Sequence, residues 1–266
     1  MPPTPSATGD RIQPDRTAVQ GEVSLILLPG LDGTGVTFWP LLKHLPAFVR
    51  PTVVAYPTDR ALGYPELLAL VTEMLPGKPF YLLGESFASP LAIMIAAGRP
   101  SGLRGLILSA GFARNPLWGA PTWLASFAHP LIFRFYPAYV RFKVRRRGGG
   151  PAGRARLAAL TEHTPRIIAN RIRSVLRVNV MPQLSHCPVP VLYVRGVRDR
   201  LIAARNLSEM SRCLPSMRVA RLDGGHCLLR SRPELAAAAI VEFIADCSRP
   251  AAHRQVMQPD LTARPS

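Results

Sequence analysis

Short apolar runs alternate with segments of helical spacing through most of the chain. Runs rich in Val, Leu, Ile and Tyr predict strands, at 23–28, 52–56, 80–83, 106–108, 189–194 and 217–222. The segments between them predict helices, at 38–45, 64–75, 88–97, 207–214 and 233–247. Uninterrupted apolar runs such as 25–28 suit strands that are buried on both faces. The alternation therefore predicts an α/β fold, with a mostly parallel sheet and helices on both faces.

One long interval, between Gly111 and Val189, contains no convincing strand. We expect a helical cap insertion there, at about 112–187. Its first part is rich in aromatic residues, and its second part, 154–178, has the spacing of a basic amphipathic helix. The run RRRGGG at 145–150 joins the two parts and is expected to be mobile.

The two ends of the chain differ in composition from the rest. Residues 1–20 are rich in Pro, Ser and Thr, and residues 249–266 lack apolar periodicity, so both are predicted to be flexible tails around one domain at 21–248. The first segment has no apolar run of signal-peptide length. The four cysteines show no CxxC spacing, so we expect neither a metal site nor disulfides, and a cytoplasmic location.

The formal net charge is +17, and almost all of the excess is arginine. Because the arginines are scattered along the chain, we interpret them as a generally basic surface and expect no nucleic-acid partner. The dense cluster Arg145–Arg147 leaves open a peripheral contact with an anionic membrane.

The segment YLLGESFAS at 81–89 predicts a strand, a sharp turn and a helix, with Ser86 in the turn. A nucleophile in such a strained turn needs small residues two positions before and two after it, and Gly84 and Ala88 meet that need. Ala88 stands where the usual motif has glycine. The alternative interpretation of Ser86 alone is an ordinary helix N-cap.

A serine nucleophile needs a general base, which is itself oriented by an acid. His226 follows the last predicted strand in the run LDGGH and is the best base candidate. Asp199 follows the preceding strand and is the best acid candidate. Asp199 could instead cap the following helix or pair with Arg198 or Arg200. The competing acids are Glu162, inside the expected cap, and Asp223, which lies too close to His226 in sequence to support its ring.

Acyl transfer also needs backbone N–H groups directed at the developing oxyanion. Phe87, which follows the nucleophile, and Leu31, in the loop after the first strand, are the candidates. That loop has the glycine-rich sequence LPGLDGTG but contains neither phosphate-binding motif, so we expect no nucleotide and no other cofactor.

These motifs resemble those of the α/β-hydrolase superfamily over nearly all of residues 21–248. The runs LPGLDGTG at 28–35, GESF at 84–87 and GGH at 224–226 are similar to a branch of bacterial hydrolases of unassigned substrate and plant phytyl ester synthase-like acyltransferases. The pair Ala88-Ser89 departs from that branch, which usually has two glycines there. The order Ser86, Asp199, His226 is the order of the triad in this fold.

The resulting hypothesis is a serine hydrolase that cleaves a small-molecule carboxylic ester or thioester with an apolar acyl group through an acyl-enzyme. Two alternatives remain open: an acyltransferase that uses the same triad, and a non-catalytic binding protein on a hydrolase scaffold.

Overall fold

A parallel sheet forms the centre of the molecule. The computed structural model describes residues 21–117, 122–135, 138, 142 and 164–249. Within these residues, six strands pair in parallel in the order β2-β1-β3-β4-β5-β6. The strands are β1 Val23–Leu28, β2 Val49–Val53, β3 Phe80–Glu85, β4 Leu103–Ser109, β5 Val191–Gly196 and β6 Arg218–Leu222.

Helices connect the strands. In chain order they are α1 Trp39–Leu42, α2 Tyr64–Glu73, α3 Ala88–Ala97, α4 Pro130–Phe133, α5 Pro165–Arg177, α6 Met181–Ser185, α7 Ala204–Cys213, α8 Leu228–Ser231 and α9 Pro233–Ser248. Two short 3-10 helices, Val36–Phe38 and Thr122–Phe127, complete the described elements.

The four inner strands, β1, β3, β4 and β5, are largely buried on both faces, as their uninterrupted apolar runs predict. In β1, Ile26 and Leu28 belong to one core cluster, while Leu25 and Leu27 belong to the other. Successive side chains of a strand point to opposite faces of the sheet, so such a run can supply two cores. Helices α2, α3, α6 and α7 contribute to the first cluster, and α1, α8 and α9 contribute to the second. The predicted architecture, a mostly parallel sheet with helices on both faces, is therefore confirmed.

The second strand lies three residues earlier than the sequence predicts. The apolar run at 52–56 suggested the strand, but the chain pairs with β1 through Val49–Val53, from Val23 opposite Val49 to Leu27 opposite Val53. Strand β2 is at the edge of the sheet and is largely exposed, which allows Pro51 within it. Beyond the strand, Val54 and Tyr56 turn into the core, and the Tyr56 N–H donates to the carbonyl of Gly33 at 2.7 Å.

The long interval between β4 and β5 is helical where the structure describes it. It contains the 3-10 helix Thr122–Phe127 together with α4, α5 and α6, and these described parts hold no strand, only the isolated bridge between Arg114 and Asn179. The basic helix predicted at 154–178 is described from Pro165 to Arg177. Residues 1–20, 145–150 and 250–266, for which flexibility is expected, lie outside the described residues.

Candidate active site

Ser86 occupies the turn between β3 and α3. Its backbone has a φ of +51°, a left-handed conformation that a residue with a side chain rarely adopts. Such a conformation costs on the order of 1–3 kcal/mol and persists only where the surroundings hold it. Here the Ser86 N–H donates to the carbonyl of Ser109 at 2.8 Å, and the Ser86 carbonyl accepts from the N–H of Ser89 at 2.9 Å. The turn is therefore fixed on both sides of the serine.

Small residues bring the strand and the helix together at this turn. A Cβ atom at Gly84 would lie 2.8 Å from both the Ala88 carbonyl oxygen and the Ala92 Cβ. The methyl group of Ala88, in contrast, is fully buried and accommodated. Ser89, the second departure from the usual motif, donates to the carbonyl of Gly84 at 3.2 Å, and Gly111 makes room for its hydroxyl.

His226 lies on the loop between β6 and α8, and its Nε2 is 2.9 Å from the Oγ of Ser86. This loop packs directly on the end of β5. A Cβ at Gly196 would lie 2.5 Å from the Gly225 carbonyl oxygen, and the Arg198 N–H donates to the Gly224 carbonyl at 2.9 Å. The end of one strand thus holds the loop that carries the histidine.

Asp199 lies just after β5, and its Oδ2 is 2.9 Å from Nδ1 of His226. Its side chain is fully buried, and its Oδ1 accepts from the N–H groups of Leu201 at 2.8 Å and Ile202 at 3.1 Å. Burial alone raises the pKa of Asp199, but the bond with His226 and these two N–H groups outweigh burial, so the pKa is lowered. A carboxylate at Nδ1 assigns the ring proton to that nitrogen, which leaves Nε2 as an acceptor facing Ser86.

Asp223, the rejected acid candidate, has other partners. It forms ion pairs with Arg198 and with Arg232 at the surface. Among the other described histidines, His44 is near Glu234, and His129 and His186 are exposed and make local contacts. The structure therefore brings Ser86, His226 and Asp199 together.

Of the two predicted oxyanion donors, Phe87 follows the serine in the chain, and Leu31 lies on a loop that approaches it. A Cβ built on Gly30, next to Leu31, would lie 3.9 Å from the Cβ of Ser86. Neither the Leu31 N–H nor the Phe87 N–H donates a hydrogen bond to another described residue. The Phe87 carbonyl accepts from the Tyr64 hydroxyl at 2.8 Å, and the two rings stack with centroids 4.9 Å apart. Tyr64, which the sequence analysis missed, thus fixes the residue after the nucleophile.

Arg171 of helix α5 is a second residue that the sequence analysis missed. Its guanidinium is almost completely buried, and Nη1 donates to the Leu31 carbonyl at 2.7 Å. Gly33 allows this approach, because a Cβ there would lie 2.5 Å from Nη1. Burial lowers the pKa of Arg171, and the nearby Tyr56 and Asp32 partly offset that shift. The sequence did contain a signal for this residue. Arg171 lies four residues after Ile167 and three after Ile168, so helical spacing places its charge on the apolar side of the helix.

Glu85 is the third missed residue. It precedes Ser86 at the end of β3, is buried, and accepts from the Thr37 hydroxyl at 3.3 Å. Burial, reinforced by the negative charge of Asp32, raises its pKa to about 7 from the usual 4.5, against the opposing effects of His226, Thr37 and Arg230. The side chain therefore titrates near neutral pH beside the Ser86 and His226 pair.

No group of three His, Cys, Asp or Glu side chains suited to a metal ion occurs within the described part of the chain. The described helices also include none that is long and apolar enough to cross a membrane. What the arrangement supplies chemically is a hydroxyl, an imidazole and a carboxylate in series.

A serine, a histidine and an aspartate at the strand ends of a parallel sheet are typical of α/β-hydrolases, and comparison with known proteins supports assignment to that family. The family described as "Alpha/beta hydrolase family" matches residues 25–239, and the chain belongs to it. Solved structures with this fold include a hydrolase from Pseudomonas aeruginosa, with a TM-score of 0.70 and 17% identity over 85% of this chain and 92% of that one. An esterase from Exiguobacterium antarcticum gives a TM-score of 0.72 and 13% identity over 85% and 93% of the two chains.

A curated relative is similar over a smaller part. Phytyl ester synthase 1, chloroplastic, from Arabidopsis thaliana is 34% identical over 109 residues, which is 37% of this chain. The match spans only 16% of the length of that relative.

Proposed function

We propose that the chain is a serine hydrolase that cleaves a small-molecule carboxylic ester or thioester. The observation that carries the proposal is the hydrogen-bonded series from Ser86 Oγ to His226 Nε2 at 2.9 Å and from His226 Nδ1 to Asp199 Oδ2 at 2.9 Å. Ordinary serine hydroxyls are poor nucleophiles, and this series is the arrangement that activates one.

In the first half of the reaction, Ser86 Oγ attacks the carbonyl carbon while its proton passes to His226 Nε2. Asp199 stabilises the resulting imidazolium, and the Leu31 and Phe87 N–H groups hold the negative oxygen of the tetrahedral intermediate. The intermediate collapses when the bond to the leaving alcohol or thiol breaks and His226 returns the proton to that group. The acyl group then remains bonded to Ser86.

In the second half, a water molecule attacks the acyl-enzyme. His226 takes a proton from this water, and the same two N–H groups hold the second tetrahedral intermediate. Collapse breaks the bond to Ser86 Oγ, which regains its proton from His226, and releases the carboxylic acid. No cofactor or metal enters either half.

The segment between β4 and β5 reaches the surroundings of Ser86. Helix α5 of this segment reaches the Leu31 loop through Arg171, so the segment lies against one side of the Ser86 site. The Arg171 guanidinium lies 5.5 Å from the centroid of the Tyr56 ring and 6.0 Å from that of Phe87. We infer that the segment acts as a cap over the acyl pocket.

A fluorophosphonate probe tests the proposal directly. The wild-type protein should be labelled, and Ser86→Ala should lose the label. Ser185→Ala is the matched control, because Ser185 Oγ lies 2.9 Å from His186 Nδ1 in an exposed serine–histidine pair without a described acid. It should be labelled like the wild type. An unlabelled wild type would overturn the proposal in favour of a binding protein on a hydrolase scaffold.

Acyl transfer is the second candidate function, and the similarity to phytyl ester synthase favours it. The same acyl-enzyme would then react with an alcohol in place of water. Supplying one acyl ester with increasing concentrations of a long-chain alcohol separates the two reactions. A hydrolase gives mostly free acid at every concentration, whereas an acyltransferase gives mostly the new ester.

A further inference from the structure

The segment 122–135 presents large apolar side chains to solvent. Trp123, Phe127, Leu131 and Phe135 are each at least 60% exposed, and they recur at intervals of four residues. We call these four side chains the aromatic face. Trp123 and Phe127 contact edge to face with centroids 5.6 Å apart, so these two members of the face form one surface.

The residues of this segment that the structure describes as buried are small. Ala125 and Ala128 are buried, and the Ala128 carbonyl accepts from Arg173 Nε of helix α5 at 3.0 Å. A surface helix usually places its large apolar side chains inward. Here four large apolar side chains are exposed instead, and an exposed apolar surface of this kind is typical of a site for a partner or a membrane.

The stretch of sequence that contains this segment carries formal charges of a single sign, although Arg114 is paired with Glu209 of helix α7. Residues 86–161 contain no Asp or Glu, although the chain has 16 acidic residues elsewhere, and they contain eleven basic residues. These are Arg99, Arg104, Arg114, Arg134, Arg141, Lys143, Arg145, Arg146, Arg147, Arg154 and Arg156. An apolar protein partner would not require this excess of positive charge, and a nucleic acid would not require the apolar side chains.

We propose that the aromatic face docks on an anionic phospholipid bilayer. Its apolar side chains enter the boundary between headgroups and acyl chains, and the arginines that lie near it in the sequence attract the negative surface. Tryptophan and phenylalanine are suited to that depth because their rings are largely apolar. Docking does not depend on the proposed reaction of Ser86, so the two can be tested separately.

Co-sedimentation with vesicles is the first test, carried out with Ser86→Ala so that no turnover occurs. The protein should bind vesicles of equal parts phosphatidylglycerol and phosphatidylcholine about tenfold or more tightly than pure phosphatidylcholine, and high salt should weaken binding. Trp123→Ala should weaken binding about tenfold. Trp39→Ala is the matched control, because Trp39 is 59% exposed and Trp123 is 60% exposed. This variant should bind vesicles as tightly as the Ser86→Ala protein in which it is made.

Tryptophan fluorescence is the second test and does not depend on affinity. A variant with Trp39 and Trp118 replaced by Phe keeps Trp123 as its single tryptophan. Its emission should shift to shorter wavelength with anionic vesicles, and lipids brominated on the acyl chain should quench it.

Three outcomes would overturn the proposal. The first is equal binding to neutral and anionic vesicles, and the second is a Trp123 emission that vesicles do not change. The third is a concentration-dependent dimer in analytical ultracentrifugation that Trp123→Ala abolishes, since a second copy of the chain would then be the occupant of the face.

Discussion

The carboxylate of Asp199 binds Nδ1 of His226 at 2.9 Å, and this contact determines which nitrogen of the ring faces Ser86. Burial would favour a neutral Asp199, but its hydrogen bonds to His226, Leu201 and Ile202 keep it ionised. Asp199 is therefore charged and fixed before any substrate binds, so the proposed transfer of the Ser86 proton to His226 needs no reorganisation.

Asp199→Asn should reduce kcat/KM by about three to four orders of magnitude, because an amide at this position favours the wrong tautomer of His226. Steady-state kinetics with an aryl ester measures the effect. Asp223→Asn is the control, since Asp223 is on the same loop as His226 but pairs with Arg198 and Arg232. A comparable loss in Asp223→Asn would contradict the assignment of the acid.

Arg171→Met should lower kcat about tenfold with little change in KM, because Leu31 contacts the oxyanion only as it develops. The free energy of unfolding should change by no more than about 1 kcal/mol, since the substitution also removes a buried charge. Arg177→Met, at the exposed end of the same helix, should leave both quantities unchanged. If Arg171→Met lost stability without losing kcat, Arg171 would have only a structural role.

Glu85→Gln should remove a pH dependence of stability. Between pH 4.5 and about pH 7 the unfolded carboxyl is ionised while the folded one keeps its proton, so wild-type stability falls as pH rises through this window. The total decrease is on the order of 3 kcal/mol. Glutamine cannot ionise. In urea unfolding, the free energy of unfolding of Glu85→Gln should therefore rise relative to that of the wild type from about pH 5 to about pH 8.

The control for this measurement is Glu73→Gln. Glu73 is exposed at the end of α2, so its replacement should leave the pH dependence of unfolding unchanged. If the free energy of unfolding changed with pH in the same way in the wild type and in Glu85→Gln, Glu85 would not be the group that causes the pH dependence.

Gly84→Ala should destabilise the fold by about 1–3 kcal/mol, because the new methyl group would overlap the Ala88 carbonyl and the Ala92 side chain. Moving α3 away from β3 also displaces Ser86, so labelling by the fluorophosphonate should slow as well. Gly77→Ala is the control, since a Cβ there has no atom within 4 Å. Thermal unfolding and labelling rates together check the prediction, which fails if the two variants behave alike.

Local patterns in the sequence predicted much of the fold. Uninterrupted apolar runs specify strands that are buried on both faces. Successive side chains of a strand point to opposite faces, so every position must be apolar when both faces pack against a core. The small residues around Ser86 specify a tight strand-to-helix turn for an equally local steric reason. Even so, Val49–Val53 became the edge strand in place of 52–56, because pairing with β1 and not local hydrophobicity selects the register.

The sequence by itself also determined which serine, histidine and aspartate were candidates, because each follows a strand, and the ends of parallel strands meet at one edge of the sheet. Only the tertiary structure decided that Glu85 is buried beside them, that Tyr64 fixes Phe87, and that Arg171 binds Leu31. The Arg171 and Leu31 contact joins residues 140 positions apart. Burial and long-range hydrogen bonds of this kind depend on how separate elements pack, and the periodicity of one segment shows only which of its sides faces the core.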